Sequence, residues 1–170
     1  MNHVEMMRLA ESVALQSVCK RAQVGAVVRY TSYEGCVSDP WTTATGHNKR
    51  PCGGACEGED GRTLPDVIHA EHMAIDAALS LVIDDWQQYS MVESALYVTR
   101  QPCINCAKLI VDAGIGAVYY RDADDKVDGI EHLLAHGVIV NSGWLKEQMR
   151  ARTLERIQRT WADRWQEQRT

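Results

Sequence analysis

Apolar positions recur at helical spacing at the start of the chain, where Met6, Leu9, Ala10 and Val13 follow i, i+3, i+4, i+7 and predict an amphipathic helix over the first 20 residues. The pattern then changes period. Val24-Gly25-Ala26-Val27-Val28-Arg29-Tyr30 is rich in β-branched and aromatic residues and reads as a strand. A turn region over 32–40 returns the chain to a second strand near 42–46, which makes a hairpin and hence an antiparallel pair. Residues 47–67, rich in Gly, Asp and Pro, form a long loop of the kind that in compact domains is functional or mobile.

A second helix is expected over 69–81, with Met73, Ala77 and Leu81 four apart on one side. Ala95-Leu96-Tyr97-Val98-Thr99 is a strand that runs straight into a third helix, whose face is Cys106, Leu109, Ile110 and Ala113 and whose end is marked by Gly114. Residues 115–120 give another strand. Asp128-Gly129-Ile130-Glu131 resembles a capping box opening a short helix closed by Gly137, and 138–140 is the last strand. The strand-helix-strand rhythm from residue 95 onward implies parallel strands with right-handed crossovers. The predicted fold class is therefore α/β: a mixed five-stranded sheet, antiparallel at its start and parallel at its end, with helices on both faces.

The length of 170 residues suits one domain with a substantial core, here expected over 1–141, followed by a C-terminal helical extension over 142–170. Leu145, Met149, Leu154, Ile157, Trp161 and Trp165 form an apolar stripe on that otherwise charged extension, which reads either as a helix docked on its own domain or as a subunit contact. The net charge of −5 argues against a broad nucleic-acid footprint, though a small phosphorylated ligand needs only a local cationic patch. No run of 18 apolar residues exists, and the first residues lack the basic and apolar regions of a secretion signal. The expectation is a cytoplasmic protein without membrane or nucleic-acid partners, its six cysteines reduced or metal-bound.

Two short motifs carry chemistry. His69-Ala70-Glu71 heads the second helix and Pro102-Cys103-Ile104-Asn105-Cys106 opens the third. One His and two Cys supply three ligands, which is the set a catalytic zinc takes, because the fourth tetrahedral position stays open for water. Zinc lowers the pKa of such a water from about 15.7 to about 7. Side chains two apart on a helix point about 200° away from one another, so His69 and Glu71 converge on one site only if His69 sits at the cap. Glu71 is then the proton carrier beside the metal. Cys103 and Cys106, three apart at a helix start, share a face near the positive end of the dipole, which favours thiolates.

H-x-E followed by P-C-x-x-C is the signature of the zinc-dependent nucleoside and nucleotide deaminases. Within that superfamily, residues 13–141 resemble the deoxycytidylate (dCMP) deaminases of phages and bacteria. The matching segments are Cys19-Lys20-Arg21-Ala22-Gln23-Val24-Gly25-Ala26-Val27, Gly46-His47-Asn48, Cys56-Glu57-Gly58-Glu59-Asp60-Gly61, Leu96-Tyr97-Val98-Thr99, Cys106-Ala107-Lys108-Leu109-Ile110 and Ala113-Gly114-Ile115. The resemblance implies a three-layer cytidine-deaminase-like fold, hydrolysis of dCMP to dUMP and ammonia for thymidylate synthesis, a homohexamer, and regulation by dCTP with Mg2+ and by dTTP. It implies attack on C4 of cytosine, with Glu71 protonating N3 and then the leaving amino group, and Asn48 and Ala70 as substrate contacts.

For the 5′-phosphate, Arg121 is the first choice, because arginine grips phosphate in a bidentate way, with Lys49, Arg50 and Arg100 behind it as phosphate or effector contacts. Some phage relatives carry a structural zinc near the positions of Cys19 and Cys56, and this chain adds Cys52, so a second zinc is a candidate there. His132 and His136, four apart, read as a solvated helix face, and Cys36 has no evident partner.

Three positions depart from the family pattern. Met73 stands where an asparagine is usual and looks more like the tRNA adenosine deaminases, Lys49 replaces a loop glycine, and Ser80 replaces a basic residue linked to the nucleotide response. The alternatives are thus a deaminase of modified dCMP, cytidine or tRNA adenosine, or an inactive nucleotide-sensing zinc protein.

Overall fold

The computed structural model describes residues 3–31, 41–83 and 90–142. The predicted turn over 32–40 and the C-terminal extension from residue 143 lie outside the described residues. In chain order the elements are α1 (His3–Ala14), β1 (Gly25–Thr31), β2 (Trp41–His47), α2 (Ala70–Ile83), β3 (Ser90–Arg100), α3 (Ile104–Asp112), β4 (Ala117–Asp122), α4 (Asp128–Ala135) and β5 (Ile139–Asn141). They build one five-stranded sheet in the order β2-β1-β3-β4-β5. β1 pairs antiparallel with β2 and with β3, whereas β3, β4 and β5 run parallel, as the strand-helix-strand rhythm requires.

Strand alternation sorts the core into two layers. Ala26, Val28 and Tyr30 of β1, Leu96 and Val98 of β3, and Val118 and Tyr120 of β4 pack against α2, α3 and α4 on one face. Val27, Ala95 and Tyr97 point the other way and meet Met7 and Ala10 of α1. The fold is therefore helix, sheet, helices, the three-layer arrangement expected.

Several boundaries move for physical reasons. α1 stops at Ala14, short of the expected 20 residues, and leaves Leu15 and Val18 exposed. Its buried side is Met7, Ala10, Val13 and Ala14, with Met6 and Leu9 only partly covered. On α2 the buried stripe is Ala70, Ala74 and Ala78 with Ile75, one position round from the Met73 and Ala77 side expected. Small side chains there let the helix approach β2 closely: a Cβ on Gly46 would lie 2.4 Å from the Ala74 nitrogen and 2.5 Å from the Ala70 oxygen.

α3 ends as predicted at Gly114, whose φ of 74° allows paired closing bonds, Gly114 N–H to the Val111 carbonyl at 2.9 Å and Ile115 N–H to the Ile110 carbonyl at 3.2 Å. The capping box at the start of α4 is a correction. Val127 is the N-cap residue and makes no side-chain cap, so Asp128 already lies in the first turn, where it accepts the Gly129 N–H at 3.1 Å.

Candidate active site

The connection between β2 and α2 places the first ligand. Lys49 and Ile68 exchange backbone bonds, at 3.1 Å and 2.9 Å, which pins the two ends of the long loop together and sets Asn48 beside His69. The His69 carbonyl then accepts the first helical bond of α2, from Met73 at 3.2 Å, so His69 is the cap and Glu71 lies inside the first turn. β3 delivers the other ligands in the same way. Cys103, with extended backbone (φ −73°, ψ 170°), caps α3, and its carbonyl accepts the Ala107 N–H at 2.8 Å. Two helix N-termini thus converge, each presenting a metal-ligating residue at its positive end.

The His69 Nδ1 lies 3.3 Å from the Cys106 Sγ and 3.7 Å from the Cys103 Sγ. With Zn–N near 2.0 Å and Zn–S near 2.3 Å, a tetrahedral zinc requires edges of about 3.5 Å between such atoms. The three residues fit the ion. Among the described residues they form the one His/Cys/Asp/Glu group with ligand atoms close enough to hold a metal, all within 4.8 Å of one another.

Electrostatics agree with that use. Donation from Cys106 and then from His69 lowers the Cys103 thiol to about 3, so it is a thiolate at neutral pH. Cys106 is pushed the opposite way by donating to Cys103 and by burial, with the Glu71 carboxylate adding to it. Glu71 is 4% exposed, and burial pushes its carboxyl up. A buried carboxyl beside three residues that could hold a metal is an arrangement able to carry a proton next to that metal.

His69, Glu71 and Cys103 line a cavity of about 450 Å³ together with Asn48, the cationic residues Arg21, Arg100 and Lys126, and the acidic residues Glu57, Asp124 and Asp128. Asn48 is 8% exposed, and its amide spans the adjacent turn: Oδ1 accepts the Val24 N–H and Nδ2 donates to the Ala22 carbonyl, both at 2.8 Å. Ala70 is fully buried under the start of α2 and is not part of the lining.

The cationic residues fall differently from the sequence expectation. Arg121 does not line the cavity; its guanidinium holds Glu11 at 3.0 Å and Asp122 at 2.6 Å. Lys49 and Arg50 are likewise outside the lining, Arg50 being bound to Asp66 at 2.7 Å. Of the four candidates only Arg100 reaches the cavity, paired there with Asp124 at 2.8 Å. Arg21 and Lys126 also line the cavity, and they come from irregular segments in which no periodic pattern marks them out. Arg21 does sit in the Cys19 to Val27 segment that carries the family resemblance, which was the available signal.

The cysteines outside the cluster also differ. Cys19 and Cys56 are joined as a disulfide, Cα to Cα 4.9 Å, which consumes two of the three thiols proposed for a second zinc and overturns the expectation that all cysteines are reduced or metal-bound. Cys52 is exposed and free. Met73, half-buried, is not in the lining; its Cβ faces Gly46 of β2.

A three-layer α/β fold that brings a His-Cys-Cys cluster and a buried glutamate together at a cavity defines a zinc-dependent hydrolase. Residues 1–122 match the family described as the cytidine and deoxycytidylate deaminase zinc-binding region, and the chain belongs to that family. It is 31% identical over 128 residues to the deoxycytidylate deaminase of Mycobacterium phage D29, covering 66% of this chain and 88% of that protein. To ComE operon protein 2 of Bacillus subtilis it is 33% identical over 115 residues, about half of that protein's length (53%) and 65% of this chain. Among solved structures it is similar to the dCMP deaminase of the cyanophage S-TIM5 in complex with dCMP and dUMP, with 36% identity, a TM-score of 0.64, and coverage of 82% of this chain and 94% of that one. The protein is thus a deaminase, and no described helix is long and apolar enough to cross a membrane.

Proposed function

We propose that the chain hydrolyses dCMP to dUMP and ammonia. The observation that carries the reading is that one cavity is lined by His69 and Cys103 of the metal-ligating cluster, by Glu71, and by the cationic residues Arg21, Arg100 and Lys126, with Cys106 buried behind Cys103 in the same cluster. The relatives named for dCMP, at 31% and 36% identity, support the same substrate. His69, Cys103 and Cys106 would hold a zinc ion, which would supply a water acidic enough at neutral pH to serve as the nucleophile toward C4 of cytosine. Glu71 would carry the protons: it would take one from the attacking water and give it to N3, then take the proton of the new C4 hydroxyl and give it to the departing 4-amino group as the C4 carbonyl forms. Its burial raises the carboxyl above the usual carboxylate range, the direction that suits a group which must donate as well as accept a proton.

Arg21 and Lys126 are the phosphate contacts in this reading, because among the described residues neither side chain is committed to an ion pair, whereas Arg100 is held by Asp124 and Arg121 by Glu11 and Asp122. Arg100 joins them when a phosphate competes with Asp124 for its guanidinium. Asn48, with its amide fixed by Ala22 and Val24, presents its remaining N–H and lone pair to the nucleotide. Homohexamer formation and a response to dCTP with Mg2+ or to dTTP rest on the family resemblance alone.

The test is turnover of dCMP, deoxycytidine, CMP, 5-methyl-dCMP and an adenosine-bearing tRNA hairpin by zinc-loaded protein. dCMP is expected to be preferred. Arg21→Ala or Lys126→Ala should raise the KM for dCMP by roughly 10- to 100-fold, the worth of one charge-assisted hydrogen bond, and leave deoxycytidine unaffected. No turnover of dCMP, or faster turnover of the hairpin, would overturn the substrate assignment.

A further inference from the structure

Gly129 is out of place by local rules. It lies in the first turn of α4, one residue after Asp128, and its backbone is not in the left-handed region that would call for glycine. What it does is make room. A Cβ at this position would lie 2.3 Å from the Pro102 carbonyl oxygen, 2.9 Å from the Cys103 carbonyl carbon and 3.1 Å from the Cys103 oxygen. All three are backbone atoms of the turn that carries a metal ligand, so no flexible side chain can yield.

The same turn is gripped from the strand side by Gln101, which is 6% exposed. Its N–H donates to the Asp122 carbonyl at 2.8 Å, its Oε1 accepts the Asp124 N–H at 3.2 Å, and its Nε2 donates to the Lys126 carbonyl. The segment that leads into α4 is thereby bound to the residue just before Pro102. Cys103 needs such support more than Cys106 does. Cys106 is buried within α3, whereas Cys103 stands at its cap, in extended conformation and without a side-chain cap of its own.

We propose that Gly129 and Gln101 are positioning residues for the metal: together they seat the Pro102-Cys103 turn against α4 and so fix the Cys103 Sγ relative to His69 and Cys106. The proposal rests on the reading that this cluster holds zinc. Relieving a 2.3 Å contact to an ordinary carbon contact of about 3.5 Å needs a displacement of roughly 1 Å. α4 does not supply it easily, because Ile130 and Leu133 are locked in the core at 2% and 0% exposure. The turn moves instead, and a ligand sulfur displaced by that much no longer matches the edges of about 3.5 Å that a tetrahedral ion requires.

The test uses the full-length protein and two metal probes. Zn2+ affinity is measured by competition with a chromophoric chelator, and the Co2+ form is followed by its d–d and thiolate-to-metal absorption. Gly129→Ala should weaken Zn2+ binding by about 10- to 100-fold, the range for residues that support metal ligands, and should alter the Co2+ spectrum. Gln101→Ala should weaken it in the same direction, and it serves if Gly129→Ala does not fold.

Gly25→Ala is the matched control. Its Cβ would meet the Ala10 oxygen at 2.1 Å and the Ala14 nitrogen at 2.5 Å, on the α1 side of the sheet. It should lower the melting temperature while the folded protein keeps wild-type Zn2+ affinity and Co2+ spectrum. Wild-type affinity, within twofold, and an unchanged spectrum in folded Gly129→Ala or Gln101→Ala would overturn the proposal. A wild-type protein that binds neither ion would defeat the zinc reading itself, which is a separate result.

Discussion

Replacing Asn48 by alanine removes a brace of the fold as well as a wall of the cavity. Its Oδ1 accepts the Val24 N–H and its Nδ2 donates to the Ala22 carbonyl, each at 2.8 Å, while its own carbonyl takes the Ser17 hydroxyl, also at 2.8 Å. The backbone bond from Ser17 survives the substitution and the two side-chain bonds do not. Each leaves a partly buried backbone group without a partner, at about 1–2 kcal/mol apiece, so the expected loss is about 2–4 kcal/mol. For a chain of 170 residues that corresponds to a fall in melting temperature of roughly 5–15 °C. Urea unfolding of wild type and variant at one fixed zinc concentration measures it, since bound metal shifts apparent stability. Asn48→Asp keeps the acceptor for Val24 and loses the donor to Ala22, and should fall between the two. A loss under 0.5 kcal/mol for Asn48→Ala, with only KM raised, would refute the bracing argument and leave Asn48 as a substrate contact alone.

Three further outcomes are expected. Burial, with help from Tyr119, lifts Tyr97 to about 12, so the folded protein retains that proton where the unfolded chain has lost it; stability is complete below about pH 10 and falls by up to about 1.4 kcal/mol per pH unit toward pH 12, a decline that Tyr97→Phe should lessen in alkaline melting curves. Arg100 holds Asp124 below the usual carboxylate range, so the pair's contribution is present above pH 3.8 and is lost as pH falls through the lowered value; Asp124→Asn should flatten that part of the acid unfolding curve, and an unchanged curve would remove the pair from the account. The Cys19–Cys56 disulfide spans 37 residues, for which loop entropy gives about 4 kcal/mol, so a phosphine reductant should lower the melting temperature and open both cysteines to alkylation; ready alkylation before reduction would show them unpaired.

The regular part of this fold is legible in the chain because its periods are clean. Val27 and Val28 alternate between the two faces of β1 as a two-sided strand must, and Gly114 marks a helix end because its φ of 74° is open to glycine far more than to other residues. The His69, Cys103 and Cys106 cluster, whose ligand atoms the structure brings together, and Glu71 beside it stand out in the sequence because spacing and chemistry coincide at two helix starts. Loop and turn residues do not. Arg21 and Lys126 reach the cavity from segments without periodicity, while Arg121, the residue the sequence favours for phosphate, pairs with Glu11 of α1 outside the cavity. Gly129 shows the limit from another side: in sequence it reads as part of a capping box, and only the proximity of Pro102 and Cys103 reveals why no side chain can stand there.

The most direct test of zinc-dependent deamination at this site is to strip the protein of metal, restore zinc in measured equivalents, and follow ammonia release from dCMP, with Glu71→Gln alongside. Activity should rise linearly and level at one zinc per chain, and the variant should bind the same single zinc while losing turnover by several orders of magnitude. Turnover by the stripped protein, or an active Glu71→Gln form, would contradict the assignment of His69, Cys103, Cys106 and Glu71.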